Sequence, residues 1–303
     1  MMRCLVTGAT GVIGRHAVQA LAEAGNEVHA ISRRLPTAER SSVTWHQADV
    51  LAREDVRRVC VAVQPTHLLH FAWVTEHGRF WNAPENEIWR DATRDLVMAF
   101  HDHGGARVVV AGSCAEYDWT RLGDGVCHEE ETPIGPHTAY GRAKVETHDW
   151  LRTYCEATSM SYAWGRVFLL YGRGEDRKRL IPSVARALAH GRVAECSSGT
   201  QVRDIMDARD VGRAFVDIVT SSVRGPINVA SGVARTIAEL VNLLGDISGR
   251  PNLVRMGALP DRADDPPVLL ADVQRLCHEV GFVPRFALRE SLEEMYREYG
   301  HDG

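Results

Sequence analysis

A short apolar strand pattern, Met2-Arg3-Cys4-Leu5-Val6-Thr7, runs straight into Gly8-Ala9-Thr10-Gly11-Val12-Ile13-Gly14. A helix pattern follows at once, with Ala17, Leu21 and Ala24 on one face and Gly25 as its stop. This order constrains the fold strongly, because a strand, a tight glycine turn and a helix must set the helix N-terminus at the strand's carboxyl end. Glycines let the backbone turn and let an anion approach the main chain, and the free N–H groups with the positive end of the helix dipole hold negative charge there. Three spaced glycines alone can be only a tight turn. The strand before, the helix after and a second strand at Glu27–Ser32 favour a site for a pyrophosphate.

The same alternation continues. Short apolar runs at 2–7, 27–32, 43–46, 67–71, 107–112 and 161–168 predict strands, and 12–24, 53–63, 85–103 and 139–157 predict helices. Such a succession implies an α/β fold with a doubly wound parallel sheet, its strands buried on both faces. After about residue 170 the loops lengthen and Gly and Pro recur, which predicts a smaller lobe. The expected division is a dinucleotide-binding domain over 1–170 and a substrate-binding lobe over 171–303, with segments of the lobe returning to the first domain.

Composition excludes several classes. The 303 residues carry a formal net charge of −5 with no Lys/Arg block, so nucleic acid is not an expected partner. Seven scattered cysteines with no Cys-x-x-Cys pair suggest a reducing, cytoplasmic setting without a disulfide frame. No apolar run reaches membrane-spanning length. Glu129-Glu130-Glu131 reads as a solvated loop, and His101 and His103, two apart on a helix, face different ways, so no metal site is expected.

Two further motifs carry chemistry. Tyr140-Gly141-Arg142-Ala143-Lys144 opens a predicted helix, so Tyr140 and Lys144 lie one turn apart on one face. A phenol is a poor acid or base near neutrality, and a nearby ammonium lowers its pKa toward that range. Val108-Val109-Val110-Ala111-Gly112-Ser113 is a buried strand ending in a hydroxyl. Ligands of open parallel sheets bind beyond the carboxyl ends of the strands, so Ser113 and the Gly8–Gly14 loop are expected at the same edge.

At this point the chain resembles the extended short-chain dehydrogenase/reductases, a Rossmann-fold group of nucleotide-sugar epimerases, dehydratases and ketoreductases. The resemblance spans nearly the whole chain. It rests on Gly-x-x-Gly-x-x-Gly at 8–14, Asp49-Val50, His70-Phe71-Ala72, the set Ser113, Tyr140 and Lys144, and Gly165–Gly172. It also takes in Val202-Arg203-Asp204-Ile205 with Asp207 and Asp210, Asn228–Gly232 and Gly281–Pro284. The resemblance implies Ser113, Tyr140 and Lys144 as the catalytic residues. It implies cofactor contacts from Gly8, Thr10, Gly11, Val12, Ile13, Gly14, Asp49, Val50, Phe71, Ala72, Trp73, Val167 and the Tyr140/Lys144 pair. Arg203 and Arg262 would meet the substrate's pyrophosphate. Thr75 in the segment Trp73–His77 would line the sugar pocket, with Ser113, Cys114 and Ala115. The helices at 85–103 and 139–157 would form a homodimer face. Trp89 stands where the family often carries asparagine.

The end of the second strand bears on the cofactor. Ser32-Arg33-Arg34 carries no carboxylate to take hydrogen bonds from a ribose, whereas two arginines suit a 2′-phosphate. NADP(H) is therefore expected in preference to NAD(H). Family dehydratases place an Asp-Glu pair directly after the catalytic hydroxyl residue. Here Cys114-Ala115 follow, with Glu116 one step on, so the acid and base for dehydration are missing. Cys114 and Glu116 remain candidate acids for other family reactions. The expected activity is NADPH-dependent reduction of a keto group on a nucleotide-linked sugar, an NDP-4-keto-6-deoxyhexose foremost. The alternatives are an epimerase with tightly bound NAD and a non-catalytic NADP(H)-binding regulator.

Overall fold

The computed structural model describes residues 2–36, 42–262 and 265–300. In chain order its elements are β1 (Arg3–Thr7), α1 (Gly14–Glu23), β2 (Glu27–Ser32), β3 (Val43–Gln47), α2 (Arg53–Val63), β4 (His67–His70), α3 (Glu85–Asp102), β5 (Arg107–Ser113), β6 (Val126–Cys127), α4 (Ala139–Thr158) and β7 (Ser161–Val167). There follow β8 (Leu169–Tyr171), α5 (Leu180–Ala189), β9 (Ala194–Glu195), β10 (Val202–Asp207), α6 (Ala208–Thr220), β11 (Gly225–Val229), β12 (Ala234–Thr236), α7 (Ile237–Ile247), β13 (Val254–Arg255), β14 (Val268–Ala271) and α8 (Leu288–Gly300).

Seven strands form one sheet in the order β11-β7-β5-β4-β1-β2-β3, parallel throughout. The chain winds outward from β1 through β2 to β3, then crosses to β4 on the other side and continues outward. The reversal opens a crevice between the carboxyl ends of β1 and β4, the place where such sheets receive ligands. Alternate side chains of each strand enter opposite layers. Cys4, Val6, Val109 and Ala111 pack with α1 and α6, while Leu5, Val108 and Val110 pack with α2, α3 and α4.

A second sheet, β12-β10-β14-β6 with β8 beside β10, is backed by its own apolar layer from α5, α7 and α8. Chain crosses between the two sheets in both directions. The strand β11 returns to the large sheet, whereas β6, from before residue 170, joins the small one. Aspartates brace the junction. Asp204 accepts from the Ser231 and Gly232 N–H groups, and Asp210 from Arg285 and Phe286. All seven cysteines are free. Among the described residues, no helix is long and apolar enough to cross a membrane.

Candidate active site

The glycine loop lies where the sequence pattern puts it, and its glycines are sterically required. A Cβ on Gly14 would stand 2.2 Å from the Gly8 carbonyl oxygen, and one on Gly8 would stand 2.6 Å from the Ala72 nitrogen. Gly8 also holds φ +64°, a left-handed conformation that glycine adopts without strain. No side chain caps the N-terminus of α1; the Arg15 and His16 N–H groups of its first turn donate to the Gly11 and Ile13 carbonyls. Arg15 folds back over the loop, donating to the Gly11 and Thr10 carbonyls, and adds positive charge.

A cavity of about 1140 Å³ opens from this loop. Its wall includes Gly8, Thr10, Gly11, Val12, Ile13 and Gly14. Ser32, Arg33 and Arg34 at the end of β2 also line it, as do Asp49 and Val50 after β3, and Phe71, Ala72, Trp73 and Thr75 after β4. Arg33 and Arg34 are exposed at its rim, next to Ser32, whose hydroxyl donates to the Arg34 carbonyl. The cradle that a Cβ would fill, the uncapped helix start and the two arginines fit a dinucleotide phosphate.

The far wall was not foreseen. Arg15, Leu170, Glu175, Asp176 and Arg179 also line the cavity. Burial pushes the Glu175 carboxyl up to about 8, against the opposing charge of Arg179. One Glu175 oxygen is buried without a hydrogen-bond partner, and the other lies 3.9 Å from Arg179. The only sequence signal was position: the Gly172–Arg179 loop follows a strand end, but nothing local says that this loop folds back over α1.

Ser113, Tyr140 and Lys144 gather beside the cavity. Thr138 caps α4 by accepting from the Gly141 N–H at 3.1 Å. A Cβ on Gly141 would stand 2.4 Å from the Ala115 carbonyl, so glycine there lets the helix start close on the turn after β5. That approach brings the Tyr140 phenol near the Ser113 hydroxyl. Phe80, Trp81 and Trp73 surround the Tyr140 ring edge to face, at centroid distances of 5.0, 5.9 and 6.4 Å. Burial among them raises the phenol pKa above its ordinary value, and the neighbouring Ser113 hydroxyl opposes this. A Lys144 ammonium that lowers it, as expected from the helix spacing, is not the controlling influence. Lys144 Nζ instead donates to the Ala111 carbonyl at 2.7 Å and lies 3.7 Å from the Trp73 ring centroid. Burial lowers the Lys144 pKa to about 7.

Glu116 is corrected as a candidate acid. It is fully buried, because the turn after Ser113 curls it back. Its carboxylate accepts from the Ser113 N–H at 2.7 Å, from the Trp164 indole at 2.9 Å and from Arg166 Nε at 2.8 Å. Gly112 leaves the room, since its Cβ would stand 2.1 Å from the Trp164 nitrogen. Arg166 continues the network to Tyr117, whose hydroxyl donates to Asn228. The Trp164 and Arg166 donors thus hold Glu116, and Glu116 in turn holds the Ser113 main chain. The Cys114 thiol, buried beside it, is pushed up to about 12 and stays protonated at neutral pH.

A second chain of hydrogen bonds runs behind β4. The Ala72 N–H donates to Thr7 Oγ1, which faces His70 Nδ1 at 2.6 Å. His70 Nε2 faces Thr93 Oγ1 at 2.9 Å, and Thr93 donates to the Trp89 carbonyl. This assigns the His70 proton to Nε2. Burial lowers the His70 pKa to about 3, so the ring is neutral.

The remaining candidates fall outside the cavity. Val167 pairs with Ser113 across the sheet. Arg203 is buried, with Nη2 at 2.6 Å from Asp265, and Arg262 is exposed. Cys114 and Ala115 are buried in the turn after Ser113. His101 and His103 bind Tyr154 and the Ala99 carbonyl, respectively.

The model of the NAD dependent epimerase/dehydratase family matches residues 4–230, and the chain belongs to that family. It is an NAD(P)-dependent enzyme of the extended short-chain dehydrogenase/reductase group, whose members act on nucleotide sugars. The chain is 29% identical over 322 residues to UDP-glucose 4-epimerase of Corynebacterium glutamicum, covering 97% of this chain and 95% of that protein. It is 28% identical over 316 residues to dTDP-4-dehydro-6-deoxy-D-allose reductase of a Streptomyces species, covering 97% and 95%. A crystal structure of UDP-glucose 4-epimerase from Thermotoga maritima shares the fold with a TM-score of 0.84 at 22% identity, over 98% of each chain.

Proposed function

We propose that this protein is an NADPH-dependent ketoreductase acting on a nucleotide-linked sugar, with an NDP-4-keto-6-deoxyhexose as its substrate. The single observation that carries the proposal is the Arg33–Arg34 pair at the rim of the cavity, in the place where a carboxylate would instead serve the NAD ribose. A preference for NADP(H) accords with net reduction, in which the cofactor is consumed and replaced. The full-length similarity to 6-deoxyallose reductases supports this substrate class.

When bound, NADPH supplies the hydride to the carbonyl carbon. The chain's own residues do the rest. Tyr140 gives its proton to the carbonyl oxygen, a step worth roughly two to four powers of ten. Ser113, braced through its main chain by Glu116, donates to the same oxygen as charge develops. Lys144 holds the nicotinamide ribose. Arg203, with Arg262 from the neighbouring loop, takes the substrate's pyrophosphate. Residues 1–170 supply most of the cofactor half and 171–303 most of the substrate half, with segments such as β11 returning to the first, and α3 with α4 presents a homodimer face in a cytoplasmic enzyme.

A second reading, an epimerase with tightly held NAD, is favoured by the similarity to UDP-glucose 4-epimerases. One experiment separates the two. The purified protein is supplied with NADPH and a panel of nucleotide 4-keto-6-deoxysugars, and in parallel with UDP-glucose alone. Oxidation of one NADPH per sugar reduced supports the reductase. Interconversion of UDP-hexoses without added cofactor, with NAD carried through purification, would replace it with the epimerase.

A further inference from the structure

The cavity and the Ser113–Tyr140–Lys144 group adjoin each other, yet none of those three residues lines the cavity, and Trp73 does. The indole stands between them. Its face meets the Lys144 ammonium at 3.7 Å from the ring centroid, a direct cation–π contact. The Lys144 side chain is buried and has one hydrogen-bond acceptor, the Ala111 carbonyl, so the indole is its second main contact. The indole is itself held at a defined angle. Its N–H donates to Asn86 Oδ1 at 2.8 Å, and the Asn86 amide is fixed by the Phe80 and Ala83 carbonyls. Trp89, which also lines the cavity, stacks on it at 6.3 Å.

We propose that Trp73 is a shutter over Lys144 that a bound nicotinamide cofactor must displace, and that this competition sets how loosely the cofactor is held. The inference rests on the reading of the cavity as an NADP(H) site in which Lys144 serves the nicotinamide ribose. An ammonium cannot face the indole and the ribose hydroxyls from the same side. Every binding event therefore gives up the capped state, and the apparent affinity falls by the fraction of molecules in which Lys144 is uncapped. A cofactor held in this way is released readily after each turnover, as a reductase needs and an epimerase that recycles bound NAD does not. Trp73 acts through Lys144 and is a positioning residue.

The test is a comparison of wild type, Trp73→Phe and Trp73→Ala, with each variant's fold checked by circular dichroism. NADPH affinity is read by calorimetry and its release rate by stopped-flow fluorescence of the reduced nicotinamide. Deleting a residue from the wall of a binding cavity ordinarily weakens binding. The shutter requires the opposite: Trp73→Ala binds NADPH about tenfold more tightly and releases it more slowly, with Trp73→Phe in between. Equal or weaker binding by folded variants, with wild type binding normally, overturns the shutter and leaves the cofactor assignment standing. NADPH that binds none of the three proteins overturns the cofactor assignment and the shutter with it.

Discussion

The two ends of the site are built from different materials. At the glycine-loop end the wall is mostly main chain, with glycines that admit no Cβ, an uncapped helix start and a backbone turn drawn against β4, and Arg33 and Arg34 at the rim. At the Tyr140 end it is made of side chains from separate elements. They are locked by a buried network in which Glu116, Arg166, Trp164, Tyr117 and Asn228 all have partners. The difference follows from the task. A phosphate needs only N–H groups and positive potential, which any backbone supplies once it turns correctly. Proton transfer needs one group at one atom, so its supports must be stiff and satisfied.

The comparison can be broken at its chemical end first. Tyr140→Phe removes the proton while keeping the ring among Trp73, Phe80 and Trp81. Turnover should fall by about 10²- to 10⁴-fold with NADPH affinity nearly unchanged; a variant that keeps most of its turnover would remove Tyr140 from the chemistry. The support behind it comes next. Glu116→Ala leaves the Arg166 guanidinium buried without its carboxylate, and the midpoint of urea unfolding should drop by the equivalent of about 3–5 kcal/mol. A small shift would mean that the network relaxes and is not the brace described.

The loop end is more tolerant in stability and selective in ligand. Replacing both Arg33 and Arg34 with alanine should raise the NADPH dissociation constant by about tenfold or more and leave NADH unchanged, since only the 2′-phosphate loses its partners. Equal losses for both cofactors would place these arginines elsewhere. A pH-dependent effect lies at the far wall of the cavity. Glu175 takes up its proton more readily in the folded protein than in the unfolded chain, because burial raises its pKa to about 8. The folded state therefore binds more protons across roughly pH 4.5 to 8, and stability is lost as pH rises through that window. Glu175→Gln should flatten this part of the stability profile by up to a few kcal/mol in thermal melts. A variant profile parallel to wild type would show that Glu175 titrates normally.

Much of this was legible in the sequence, and unevenly so. Strand bounds at 27–32 and 107–112 lie within a residue of β2 and β5, because Val108–Ala111 is a continuous buried apolar run and β2 carries the buried apolar residues Val28, Ala30 and Ile31. The helix predicted at 139–157 is α4 to within one residue. The return of β11 to the large sheet was not placed, since Gly225–Val229 is short and follows a long detour through the second sheet. Glu116 looked like a spare acid because its three partners, Ser113, Trp164 and Arg166, include two that are about fifty residues away.

By itself, the sequence determined the alternating layers, the glycine turn and the presence of a serine, a tyrosine and a lysine at the strand edge. Those properties are local: periodicity, turn conformation and i to i+4 spacing act within a few residues. Only the tertiary structure decided that Glu116 is a brace, that Glu175 walls the cavity and that Trp73 stands over Lys144. Each depends on burial and on which charge or ring lies opposite, which are set by chain segments far apart in sequence.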